Sequence, residues 1–267
     1  MHTRCLKTCA IVSAVVGLST AAHAAGDNDQ RGWNISIIGG ASGGLSGSLL
    51  PASENSILNL SGLDPTLSGG GSVAIDRLRY NDVFRSNDNA GIEAGYGLTD
   101  HVSISTRLTV ARFLGRGLEL GVVSGNEPGA SQALAARFQD AEDLTWQVGS
   151  RYSWIVGQRW RPFIGGGLGI TRPDKVRANV TSTDPTFAAR IVDFTDNRRV
   201  LTASLMGGAD LSLAKTFGLR FSVGADYAGA PRGSSDPLLG TLGVNVDREA
   251  GARVDYPLEI DAVFKLH

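Results

Sequence analysis

The chain has 267 residues with 25 Lys or Arg against 26 Asp or Glu, a near-neutral balance that gives no basic footprint for nucleic acid. Glycine occupies 35 positions, and the only two cysteines are Cys5 and Cys9. Beyond residue 9 there is therefore no thiol for a disulfide, a zinc thiolate or a cysteine nucleophile.

Residues 1–24 read as a cleaved signal peptide, with Arg4 and Lys7 at a basic start, an apolar stretch from Ala10 to Leu18, and small Ala22 and Ala24 before the cut. That stretch falls short of the roughly 20 apolar residues of a spanning helix. Cleavage leaves 23 basic against 26 acidic side chains, a net charge of −3, on a single domain at 25–267.

The stretch from Gly95 to Ile104, GYGLTDHVSI, alternates small and bulky residues, breaks over a few polar positions and resumes alternating. Period-two patterning around so short a break predicts two antiparallel strands and a tight turn. The same unit recurs around Gly157 and around Ala214 to Thr216. In chain order the pattern predicts strands at 33–43, 90–98, 101–113, 144–156, 159–171, 200–213, 217–227 and 253–266. The connections alternate: long at 44–89, 114–143, 172–199 and 228–252, short at 99–100, 157–158 and 214–216. Eight strands with short turns at one end and long loops at the other predict an all-β, antiparallel, up-and-down transmembrane β-barrel, its short turns periplasmic and its long loops extracellular. Turn formers such as those in Ser124 to Gly129 and Gly233 to Pro237 make the long connections read as surface loops. Residues 44–89 are too many for bare coil, and an extra hairpin or short helix is expected around 75–84.

Splitting each strand by parity separates two faces. Leu144, Trp146, Val148, Tyr152 and Trp154 oppose Thr145, Gln147, Gly149, Arg151 and Ser153, and Tyr256, Leu258, Ile260 and Phe264 oppose Asp255, Glu259, Asp261 and Lys265. A soluble barrel hides the apolar face, whereas an outer-membrane barrel turns it to lipid. The polar face, built of Gly, Ser, Thr and mixed charges with almost no lysine, suits a crowded lumen. Aromatic residues also gather at strand ends. Trp33, Tyr96, Trp154, Trp160, Phe217 and Phe264 lie beside the short turns, and Phe113, Trp146, Tyr227 and Tyr256 lie toward the long loops, as two interfacial girdles would. The eight residues from Trp146 to Trp154 span about 26 Å of strand, or roughly 20 Å of height at a ~40° tilt.

The stretches GIEAGYGLTDHVSISTRL (91–108), RPFIGGGLGI (161–170) and GGADLSLAKTFGLRFSVGADY (207–227) resemble hairpins of small bacterial outer-membrane barrels of the OmpA, OmpW and opacity-protein type. The resemblance implies a barrel in the outer membrane of a Gram-negative bacterium, contact with outer-membrane lipids and lipopolysaccharide, and insertion by the outer-membrane assembly machinery. That machinery commonly reads a terminal aromatic residue in this group, whereas here the last aromatic, Phe264, stands three places before His267. No peptidoglycan-binding domain of the OmpA kind is expected after the eighth predicted strand.

Side chains just fill an eight-stranded barrel. The inward charges Glu93, Arg107, Arg151, Asp210, Arg220, Asp226, Glu259 and Asp261 are therefore expected to pair as a lumen network, a structural plug or a gate. Loop acids such as Asp140, Glu142 and Asp143 read as solvated. The leading functional reading is a non-enzymatic barrel whose loops serve envelope structure or external contact. A second is a conduit for a small hydrophobic ligand. A third is a lipid-modifying enzyme, for which the region after residue 24 offers only His101 and His267. A soluble periplasmic barrel is a fourth. No cofactor or metal is expected, there being no Walker loop and no HExxH.

Overall fold

The computed structural model describes residues 31–57, 71–125, 131–156, 159–182, 190–231 and 250–266. The expected signal peptide at 1–24 and His267 lie outside them. In chain order, β1 (Gly32–Ser46) is followed by short β2 (Ser48–Leu50), β3 (Ser53–Ile57), β4 (Gly71–Ile75) and β5 (Leu78–Arg79), then by a one-turn helix α1 (Tyr80–Val83). Long β6 (Phe84–Gly97) and β7 (Val102–Gly115) precede β8 (Gly117–Gly125) and β9 (Ser131–Phe138). Long β10 (Ala141–Ser153) and β11 (Trp160–Arg172) precede β12 (Arg177–Ser182) and β13 (Arg190–Asp193). Long β14 (Val200–Ser212), β15 (Phe217–Ala228) and β16 (Arg253–Leu266) complete the chain.

The eight long strands close in the order β1-β16-β15-β14-β11-β10-β7-β6, each antiparallel to its neighbours, with β16 sealing against β1 from Trp33↔Leu266 to Ser46↔Val254. Closure leaves no sheet edge with unpaired backbone groups, the condition for strands to cross a bilayer. At one end the turns are tight: the amides of Leu98 and Thr99 both donate to the carbonyl of Val102, and those of Leu213 and Ala214 to that of Phe217. The third turn, at 157–158, lies outside the described residues, and β10 ends at Ser153 instead of Val156, which forms only an isolated bridge with Trp160.

The other end differs from the loops expected there. Described parts of segments 44–89, 114–143 and 172–199 form a second, six-stranded sheet in the order β13-β12-β9-β8-β4-β3, and β2 pairs β5 beside it. The turn formers in these segments mask shorter apolar alternations, in which Leu120, Val123, Leu134, Ala136, Phe138, Ala178, Val180 and Val192 are all buried. With Tyr80, Val83, Phe84, Phe113, Val176 and Phe194 they form the protein's hydrophobic core, which therefore sits above the barrel. The expected helix near 75–84 is α1, whose Tyr80 and Val83 are buried in this core.

Glycine permits the close approaches. A Cβ on Gly115, between β7 and β8, would lie 2.3 Å from the carbonyl oxygen of Phe138. Gly121 has φ +153° and a Cβ there would lie 2.0 Å from the carbonyl oxygen of Ala74, so β8 packs against β4 only with glycine at this position.

Candidate functional site: a charged lumen inside an apolar wall

Strand alternation sends one face of each long strand inward. Inward-facing Glu93, Arg107, Gln147, Arg161, Thr202, Ser204, Arg220, Ser222, Asp255, Glu259 and Asp261 are all buried. Outward-facing Ile92, Ile104, Leu108, Val148, Ile164, Leu168, Leu205, Val223, Leu258 and Ile260 are exposed, Leu168 to 72% and Leu205 to 61%. This is the reverse of a water-soluble domain, in which a continuous exposed apolar wall of this extent has no place. The wall belongs in lipid. Among the described residues no helix is long and apolar enough to cross a membrane, so the crossing is made by strands.

At the turn end Trp33, Tyr96, Trp154 and Trp160 are exposed on the outer wall and Phe217 and Phe264 are half-buried. Ring pairs Trp33–Tyr96 and Phe217–Phe264 have centroids 5.2 and 5.3 Å apart. At the sheet end Trp146, Tyr227 and Tyr256 are exposed, and the Trp146 indole donates to Thr106 Oγ1 at 3.0 Å. Phe113 is a correction. It is only 1% exposed, turned inward with the parity of Arg107, and packs on Phe84 at 5.6 Å and beneath the Arg253 guanidinium at 4.4 Å. Aromatic type and distance from the turn put it in a girdle; strand parity, legible in the sequence, takes it out.

The lumen charges meet in two layers. In the lower, Arg220 holds three carboxylates: Asp210 at 2.7 Å, Glu93 at 2.8 Å and Asp261 at 3.5 Å. Glu93 Oε1 also accepts from Arg151 at 2.9 Å, and the guanidinium carbons of Arg151 and Arg220 lie 4.7 and 5.7 Å from the Phe163 ring. At the top of this layer Arg107 pairs with Glu259, which accepts a further hydrogen bond from Asn89 at 2.8 Å. Seven of the eight expected network residues are thus joined. Asp226 is the eighth: among the described residues it forms no ion pair, and it faces Asp255 across the β15–β16 register.

The upper layer escaped sequence reasoning. Arg253 pairs with Asp143 at 2.6 Å and Asp255 at 3.4 Å. Asp143 is 3% exposed, not solvated, because Ala141 and Asp143 already face inward at the start of β10. Asp140 does remain exposed, and a hydrogen bond from Arg112 at 2.8 Å holds its carboxyl below the usual carboxylate range. Burial pushes the Tyr80 hydroxyl up to about 12, against the partial opposition of Arg253. In the outer sheet burial works against ionisation of Asp193, but hydrogen bonds from Lys175 and Arg177 outweigh it and lower its carboxyl.

Among the described residues the voids in the lumen are small. One of about 50 Å³ lies at the turn end between Arg31, Arg151, Asp210 and Lys265, and one of about 40 Å³ lies between the layers, lined by Asn87, Asn89, Asp226 and Asp255. Each holds a few waters at most. Tyr80, Phe84 and Phe113 cap the sheet end. His101, the one described histidine beyond residue 30, lies at a tight turn with Nδ1 2.9 Å from the carbonyl oxygen of Ser153 and its ring stacked on Tyr152.

No protein-family model matches the sequence, and no curated protein does. Among solved structures the chain is similar to Neisserial surface protein A (12% identity, 90% of this chain and 98% of that one, TM-score 0.43). It is also similar to the outer membrane protein OprG from Pseudomonas aeruginosa (12% identity, 90% and 100% covered, TM-score 0.39). A third, the outer membrane protein AlkL in DMPC lipid bilayers, shares 15% identity over 92% of this chain and 95% of that one, at TM-score 0.39. The inside-out wall carries the membrane assignment without them.

Proposed function

We propose that this protein is a non-enzymatic integral barrel of the bacterial outer membrane, whose six-stranded sheet stands outside the cell as a rigid surface for envelope structure or external contact. One observation carries the reading: an apolar wall encloses a lumen closed by two arginine–carboxylate layers and capped by a hydrophobic core. Buried charge of this kind is compensated by its partners, and among the described residues the plug fills the lumen between the two layers and the capping core. The ring of His101, held at the Ser153 carbonyl and stacked on Tyr152, supports a structural role for that residue. Protease shaving of intact cells tests the orientation. Cleavage within the sheet-end segments 114–143 or 172–199 is expected, with the turn at 98–101 protected, and the full-length protein shifts its gel migration on heating. Cleavage at the turn with a protected sheet would reverse the orientation.

A second reading, a conduit for small hydrophobic molecules, is favoured by a weak seam beside Pro257. The β15–β16 ladder runs to Val223↔Leu258 and resumes only at Asp226↔Asp255, while β1 bulges between Ser42 and Leu45 on the other side of β16. Proline has no N–H to give a ladder. The void behind this seam is lined by charged and amide groups, which is why the reading stands second. If it holds, Pro257→Val slows entry of a hydrophobic dye into cells several-fold; equal rates for wild type and variant exclude this seam as the route.

A further inference from the structure

Of the four long segments between predicted strands, only one is basic. Residues 172–199 carry six Lys or Arg against four Asp, whereas 44–89 carry three against five acids, 114–143 two against five, and 228–252 two against three. The excess is not spread evenly through the segment. Lys175 and Arg177 are both committed to Asp193, at 2.7 and 2.9 Å. Arg198 has Asp196 at 3.9 Å. Arg172 and Arg199 are exposed, and among the described residues neither forms an ion pair.

These two arginines flank the last pair of one strand ladder. The last pair of the β11–β14 ladder is Thr171↔Val200, with Thr171 buried toward the lumen. Arg172, paired with exposed Leu144 on β10, faces outward, and exposed Arg199 immediately precedes β14, one step beyond Val200. The pair lies one pleat beyond the row Trp146↔Ile170↔Leu201, in which Trp146 belongs to the outer ring of aromatic residues and Leu201 is 76% exposed. Two residues of strand advance about 6–7 Å, so the guanidinium groups stand just above the apolar wall, at headgroup depth. Arg112 at a comparable level on β7 differs: its cross-strand neighbours are Asp88 and Glu142, and it is bonded to Asp140. Like charges directly opposite on neighbouring strands destabilise a sheet. An anion between them removes that cost, and a guanidinium fork matches a phosphate in two-pronged geometry.

We infer that the outer ends of β11 and β14 form a binding site for the phosphate groups of outer-leaflet lipid, held by Arg172 and Arg199 against a wall of Ile170 and Leu201. The site rests on the outward placement of the sheet end proposed above. It gives the barrel a preferred lipid neighbour on one side of its circumference.

The test titrates the folded full-length protein, in uncharged detergent, with diphosphorylated lipid A and with its dephosphorylated form. Wild type is expected to bind the phosphorylated lipid at least tenfold more tightly. Arg172→Gln with Arg199→Gln loses that preference, Arg172→Lys with Arg199→Lys keeps part of it, and Arg112→Gln keeps all of it. Both residues are exposed and unpaired among the described residues, so the variants remain heat-modifiable. Unchanged preference in the double glutamine variant overturns the site, and displacement of lipid by equimolar inorganic phosphate overturns the lipid assignment in favour of a free-anion site. The shaving experiment is read separately: a phosphate preference that persists with the sheet end protected in intact cells keeps the site and overturns its leaflet.

Discussion

Replacing Arg220 by methionine lowers the stability of the barrel by about 3–5 kcal/mol, the cost of leaving buried charge without its partner. Arg220 is 3% exposed and, among the described residues, is the one that touches Asp210, Glu93 and Asp261 together. Glu93 keeps Arg151 when Arg220 is gone, so the loss falls on Asp210 and Asp261. Methionine matches much of the side chain's volume, which keeps cavity formation out of the comparison. Urea unfolding in lipid vesicles measures the change. Adding Asp210→Asn and Asp261→Asn to the variant removes the stranded charges and is expected to recover at least half of the loss, because residues sharing one network do not act additively. A single variant within 1 kcal/mol of wild type would mean that Arg220 does not hold the lumen together.

The barrel was legible in the sequence because lipid and lumen impose opposite chemistry on successive residues, and a period of two survives even where glycine interrupts it. The alternation Trp146, Val148, Tyr152 against Gln147, Gly149, Arg151 needs no knowledge of the partner strands. Seven of the eight expected network charges meet for the same reason, since a narrow tube brings together whatever points inward. The outer sheet was not legible. Its strands are short, from four to nine residues, and their partners come from three separate connections. Leu120 and Val123 share a core with Val73 and Val180 only after loops far apart in sequence have been brought together. Asp143 shows the limit at a single residue: beside exposed Asp140 and Glu142 it reads as a solvated acid, and only the register that extends β10 back to Ala141 turns it toward Arg253.

Placing arginine on the outer wall distinguishes lipid from water as its surroundings. Leu205→Arg is expected to destabilise the barrel in vesicles by about 2–4 kcal/mol, whereas Leu201→Arg costs roughly 0–1 kcal/mol, because the penalty for a lipid-facing cation falls from the bilayer midplane to its interface. Both leucines face outward on β14 and both are highly exposed, so packing against protein does not separate them. Depth does. Leu201 stands in the row of Trp146 and Ile170, while Leu205 lies two pleats deeper, opposite Gly166 and Ala225. On a water-facing surface the two substitutions would each fall within about 0.5 kcal/mol of wild type, since exposed positions away from special features tolerate change. Urea midpoints in vesicles that are equal for the two variants and close to wild type would place the leucine face in water. A large loss at Leu205 beside a small one at Leu201 is the gradient that only a bilayer around the barrel produces.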